Sequence, residues 1–142
     1  MKDMHNNIDV VSVLHSVVVS ATATYTDIDL AGANSAEIIF DIGVDAGSGL
    51  GASHNLVYTL QHSDDGTNYT NVETKDVLGA GTITSGVILT IDHTDEDNTV
   101  YRFGYVGGKR YLQIVGTETG TVSCPISIMV IKGHLLDSPV IA

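Results

Sequence analysis

Residues 60–72 read Leu-Gln-His-Ser-Asp-Asp-Gly-Thr-Asn-Tyr-Thr-Asn-Val, with apolar and polar residues alternating on both sides of Ser63-Asp64-Asp65-Gly66. A period of two makes a strand with two unlike faces, because successive side chains point to opposite sides of the backbone. The central four residues supply the turn. Asp64 or Asp65 can hydrogen-bond its own backbone, and Gly66 can take a positive φ without a Cβ clash. The segment therefore predicts a hairpin of fixed register, with Leu56, Tyr58 and Leu60 on one face of its first strand and Val57, Thr59 and Gln61 on the other. Nothing in it has the pattern of a catalytic motif.

The rest of the chain repeats this grammar. Helical periodicity is almost absent, β-branched residues dominate, and turn residues recur at the spacing of a sandwich or barrel. Strands are expected over residues 11–23, 25–30, 35–44, 55–61, 68–73, 83–92, 99–106, 109–116 and 121–132, with a bulge at Gly86. Residues 75–81 read as a connector with one helical turn. The two-residue link Gly107-Gly108 predicts a second hairpin between residues 99–106 and 109–116, through a type I′ turn. Eight or nine strands without a sustained helix are most simply buried as two antiparallel sheets face to face. The expectation is one all-β domain over residues 1–142, an antiparallel β-sandwich. Both a jelly roll and an immunoglobulin-like Greek key fit. An N-terminal arm is expected over residues 1–13 and a C-terminal tail over 134–142.

Charge narrows the partners. Seventeen acidic residues face six Lys plus Arg, a net charge of −11. Such a surface repels a phosphate backbone, so no nucleic acid partner is expected. Cys124 is the single cysteine. It can form neither an intrachain disulfide nor a cysteine metal cage, and its alternating apolar surroundings mark it as a core residue. Residues 10–23 are apolar and end in Ala21-Thr22-Ala23, as a secretory leader does. Asp3 and Asp9 spoil the basic start, however, and His15 and Ser16 interrupt the apolar stretch, so the run reads as a first strand. No apolar run reaches the ~20 residues that cross a bilayer as a helix, and no membrane partner is expected.

Candidate chemistry is thin. In Asp92-His93-Thr94-Asp95-Glu96-Asp97, the carboxylates of Asp92, Asp95, Glu96 and Asp97 are the best candidate ligands for a divalent cation, which takes six to eight oxygens. The spacing is not that of an EF-hand, and a solvated loop is the plainer reading. The histidines show no metal-ligand spacing, and no nucleophile elbow is present. Neither an enzyme nor a cofactor is expected. Among the basic residues, Arg102, Lys109, Arg110 and Lys132 cluster late in the chain. Lys109 and Arg110 adjoin the Gly-Gly link, where a small basic spot on an acidic molecule can fix contact with the acidic loop of another copy. Arg102, Lys109, Arg110, His134, Leu135 and Leu136 are the candidate interface residues.

Several stretches together carry a resemblance: Asp29-Leu30-Ala31-Gly32, then Ser35-Ala36 opening an apolar strand, the hairpin from Leu60 to Thr67, Asn98-Thr99-Val100-Tyr101-Arg102-Phe103-Gly104-Tyr105-Val106-Gly107, Lys109-Arg110-Tyr111-Leu112, and Val130-Ile131-Lys132-Gly133-His134. Over residues 29–134 the chain resembles small all-β proteins encoded among the head genes of tailed bacteriophages, capsid decoration (cement) or head-associated proteins. The resemblance implies a virion protein, assembled in the host cytoplasm, that binds the outer capsid surface and bridges major capsid protein subunits. It implies a homotrimer or homodimer and no catalytic residues. The alternative is a carbohydrate-binding or receptor-binding β-sandwich module. That role needs exposed aromatic rings, whereas the chain has no Trp and places Tyr58, Tyr69, Tyr101, Tyr105 and Tyr111 inside expected strands.

Overall fold

Four antiparallel strand pairs are nested one inside the next. The computed structural model describes residues 3–47 and 49–136, apart from the side chains of Thr26 and Asp27. Among them lie ten strands: β1 (Ile8–Val19), β2 (Ala23–Asp29), β3 (Ala33–Ile42), β4 (Asn55–Ser63), β5 (Thr70–Asn71), β6 (Val77–Leu78), β7 (Val87–Ile91), β8 (Thr99–Tyr105), β9 (Tyr111–Thr119) and β10 (Cys124–Leu135). Strand β1 pairs with β10, β2 with β9, β3 with β8 and β4 with β7. The chain is thus a long two-stranded ribbon rolled up on itself, with β10 also joining β3 and β9 also joining β4.

The result is two sheets. One, here the major sheet, runs β1-β10-β3-β8-β6. The other, the minor sheet, runs β2-β9-β4, with β5 and β7 sharing the far edge of β4. This nesting is the jelly-roll arrangement, so of the two topologies left open by the sequence the chain adopts the jelly roll.

The two inner faces meet in one core. Ile38, Phe40 and Ile42 of β3 face Leu56, Tyr58 and Leu60 of β4, flanked by Phe103, Leu112, Ile114, Ile126 and Ile128. The Phe40 ring packs 4.9 Å from Tyr58 and 5.9 Å from Phe103, centroid to centroid. Each such fully buried side chain stabilises the fold by about 1.5–3 kcal/mol relative to exposure. Cys124 lies in this core, fully buried, as expected.

The opening hairpin is present but short. Strands β4 and β5 pair only at Gln61–Asn71 and His62–Thr70. The turn chemistry falls to Asp65, whose carboxylate accepts the N–H groups of Thr67 and Asn68, while Gly66 sits at φ +70°. The irregularity expected at Gly86 comes two residues later. Tyr58 and Thr59 oppose Leu89 and Val87, so Ile88 is the extra residue, and Ile88 and Leu89 are both buried. The connector holds a 3-10 turn, Thr74–Asp76, followed by β6, the tenth strand.

Two expectations are corrected. Strands β8 and β9 do not form a hairpin. They belong to opposite sheets, β8 pairing with β3 and β6, and β9 with β2 and β4. Gly107 and Gly108 lack the positive φ of a type I′ turn. A Cβ on Gly107 would come within 2.6 Å of the Tyr105 ring, so close ring contact is what requires glycine there. The proposed arms are also largely strand. From Ile8 onward the N-terminal segment is β1, paired along β10, and His134 and Leu135 end β10 itself. The remainder of the expected tail, residues 137–142, lies outside the described residues.

Candidate functional site

The outer faces of the two sheets differ in kind. In an antiparallel ladder, directly opposed residues share a face. On the major sheet the outward rows are Val10–Ile131–Glu37, Ser12–Met129–Ile39–Arg102, Ser127–Asp41–Val100 and Val18–Pro125. Val10, Val18 and Val100 are 52%, 52% and 57% exposed, and Ile39, Met129 and Ile131 are half-buried. Glu37, Asp41 and Arg102 are the charged side chains in these rows, and the Arg102 guanidinium stands 3.7 Å from the Glu37 carboxylate. An apolar surface with an ion pair set into it therefore spans four strands.

The minor sheet shows a mostly polar face. Its outward rows include Thr59–Val115–Thr24, Gln61–Gln113 and Asn71–Gln61. Gln113 donates to Gln61 at 3.3 Å, and Gln61 donates to Asn71 at 2.8 Å. These amides satisfy one another and offer little apolar area.

A groove of about 420 Å³ lies at one end of the sandwich, lined by residues 30–36 and by Tyr105, Gly107, Gly108, Lys109 and Arg110. The candidate interface residues gather around it, with one exception, but most are committed within the chain. Arg110 grips Asp29 through two hydrogen bonds of 2.8 and 2.7 Å and lies over the Tyr111 ring at 4.8 Å. The guanidinium holds the Asp29 carboxyl down at about 2. The Lys109 ammonium meets Thr70 at 3.2 Å and Asp64 at 3.8 Å. Within one molecule the basic spot thus already touches the acidic turn. His134 takes a φ of +48°, its Nδ1 lies 2.8 Å from the Ser35 hydroxyl, and its carbonyl accepts the Asn34 amide. Leu135 opposes Ala33, and the exposed Leu136 donates its N–H to Gly32. Arg102 is the exception, being on the outer face of the major sheet.

The acidic loop uses its carboxylates locally. Glu96 accepts the N–H groups of Asp92 and His93, Asp97 accepts the N–H of Asp45, and Asp95 lies 3.5 Å from the His93 ring. Among the described residues, no three His, Cys, Asp or Glu side chains are placed together to hold a metal. Burial pushes the Cys124 thiol up to about 11, and it donates to the Gly43 carbonyl. Such a thiol stays protonated near neutral pH and is a poor nucleophile.

Sequence reasoning missed the outward apolar residues Val10, Ile39, Met129 and Ile131. The signal was available. From residue 124 to 131, Ser127 alone is polar, so the strand is apolar on both faces rather than one. A two-sided run marks a strand covered on both sides.

No protein-family model matches the chain, and no curated protein matches it. Among solved structures it is similar to a chain described as "Structure of infectious bursal disease virus Gx strain", at 16% identity. The match covers 89% of this chain and 32% of that one, with a TM-score of 0.31, a level that carries no argument about role.

Proposed function

We propose that the chain is a structural virion protein that decorates a tailed-phage head, docking on the major capsid protein through the outer face of its major sheet. The observation that carries this reading is the apolar surface formed by Val10, Ile39, Val100, Met129 and Ile131 on a molecule of net charge −11. An outward apolar surface of this kind marks a site of interaction rather than a solvated face. The acidic remainder keeps free copies from aggregating. Contacts that are modest singly become strong when one copy spans neighbouring subunits. The reading includes self-association and needs neither cofactor nor catalysis.

For the sugar-binding alternative, Tyr58 and Tyr105 offer no stacking platform because they turn into the core, and Arg110 covers Tyr111.

The test is to mix the purified chain with empty mature heads of the phage that carries its gene and to count bound copies after sedimentation. Saturable binding at a fixed ratio to the major capsid protein is expected. Heads that sediment bare would overturn the proposal.

A further inference from the structure

The major sheet ends on one side in β6, two residues long, and on the other in β1, twelve residues long. Among the described residues no strand pairs with the outer edge of β1. Natural sheets blunt such edges with lysine, proline, bulges or inward charge, because an open row of N–H and C=O groups templates pairing with another chain. Strand β1 has no lysine and no proline, and its irregularities are confined to its middle, leaving both ends regular. Its one acid, Asp9, is already paired with Lys132 at 2.5 Å.

We infer that the open edge of β1 pairs with β1 of a second copy, antiparallel across a two-fold axis, joining two five-stranded sheets into one of ten strands. The inference deepens the self-association in the proposed function by naming the strand and its register.

The faces of β1 fix that register. Two irregularities, between Ser12 and Leu14 and between Leu14 and Val17, divide the strand into regular ends and a bulged middle. Val10 and Val18 face outward, opposite Ile131 and Pro125. Val11, Val17 and Val19 lie in the opposite row, across from Val130, Ile126 and Cys124, with Val19 buried and Val17 still 48% exposed. In a two-fold pairing, each residue and its opposite number must share a face. Setting Leu14 against Leu14 of the second copy satisfies this in the regular ends of the strand. Val10 then opposes Val18, Val11 opposes Val17, and Asp9 opposes Val19. Regular segments meet regular segments, the bulged middles meet each other, and no like charges face across the seam.

Charge does not oppose this edge. Two copies of a chain at −11 repel, but the one acid of β1, Asp9, is already paired with Lys132. Twelve residues at ~3.3 Å each make a seam of about 40 Å, which at a depth near 10 Å covers roughly 800 Å² in total. That is below the standard size of a stable complex, so the pair is reversible in free solution and is favoured where many copies are held side by side. Pairing also makes the apolar rows around Val10 and Ile131 continuous between the two copies.

Cross-linking of the free full-length chain tests this apart from any capsid. Val10→Cys and Val18→Cys are made as separate variants and mixed under mild oxidation, with Cys124 buried and out of reach. Opposed positions bring Cβ atoms to about 5 Å, near the span of a disulfide. Val10 and its own counterpart would stand eight residues apart, roughly 26 Å. A covalent dimer in the mixture, absent from either variant alone, is expected. No dimer in the mixture, or as much dimer from one variant alone, overturns the inference. Should either variant misfold, Val11→Cys mixed with Val17→Cys reads the same register one pair inward. Because no capsid is present, this result stands apart from that of head binding.

Discussion

The His62 ring Nδ1 lies 3.0 Å from the Tyr105 hydroxyl, and this hydrogen bond crosses the sandwich, from β4 in the minor sheet to β8 in the major one. Both residues are buried, and their rings meet edge to face with centroids 6.0 Å apart. The same hydroxyl accepts the Lys109 N–H at 3.1 Å, which fixes the segment where the chain passes between the sheets. One polar contact thus ties the core to the wall of the end groove.

His62 makes stability depend on pH. Burial lowers its pKa, the Lys109 charge lowers it further, and Asp76, Asp64 and Glu73 oppose them. The unfolded chain therefore binds this proton more readily than the folded one. The stabilisation is fully present above the unfolded value of about 6.5 and is lost as pH falls below it through the lowered folded value. Chemical denaturation should show a decline from pH 7.5 to pH 5 that is shallower in His62→Gln. An equal slope in both proteins would remove His62 from the account.

Tyr105→Phe deletes the hydroxyl and leaves His62 and the Lys109 N–H without it. A buried group stripped of its partner costs about 1–3 kcal/mol. A denaturation midpoint lowered to that extent, with strand content unchanged, is expected by circular dichroism.

Gly86→Ala tests the edge where β5 and β7 share β4. Gly86 has a φ of +80°, and a Cβ there would stand 2.9 Å from the Asn71 Cβ and 3.0 Å from the Leu60 carbonyl. Strain of this kind costs about 1–3 kcal/mol. Because Gly86 also accepts the Leu60 N–H, loss of amide protection at Leu60 in hydrogen exchange should accompany the lower stability.

The sheet architecture was legible because alternation survives in strands such as β3 and β4. Ile38, Phe40 and Ile42 point inward, as do Leu56, Tyr58 and Leu60, and the acids at 64–65 make a turn. Strand partnership was not legible. The runs through Phe103 and Leu112 alternate in the same way whether they pair with each other or lie in facing sheets, and Gly107-Gly108 suits either reading. Only the rolled topology separates them. Among the interface candidates, Lys109 and Arg110 were chosen for charge, and both are bound by acids of the same molecule, Asp64 and Asp29. The outward apolar residues carry no charge to attract notice, and Met129 and Ile131 were visible only as alternation missing from residues 124–131.

The central claim is that the outer face of the major sheet docks the chain onto its capsid. The most direct measurement is head occupancy by a variant carrying Ile39→Asp and Met129→Asp, compared with one carrying Gln113→Asp on the opposite face. These positions are only partly buried, so circular dichroism should show both variants folded. Occupancy reduced at least tenfold for the first variant and unchanged for the second is the predicted result. Equal occupancy by the two folded proteins would contradict the account.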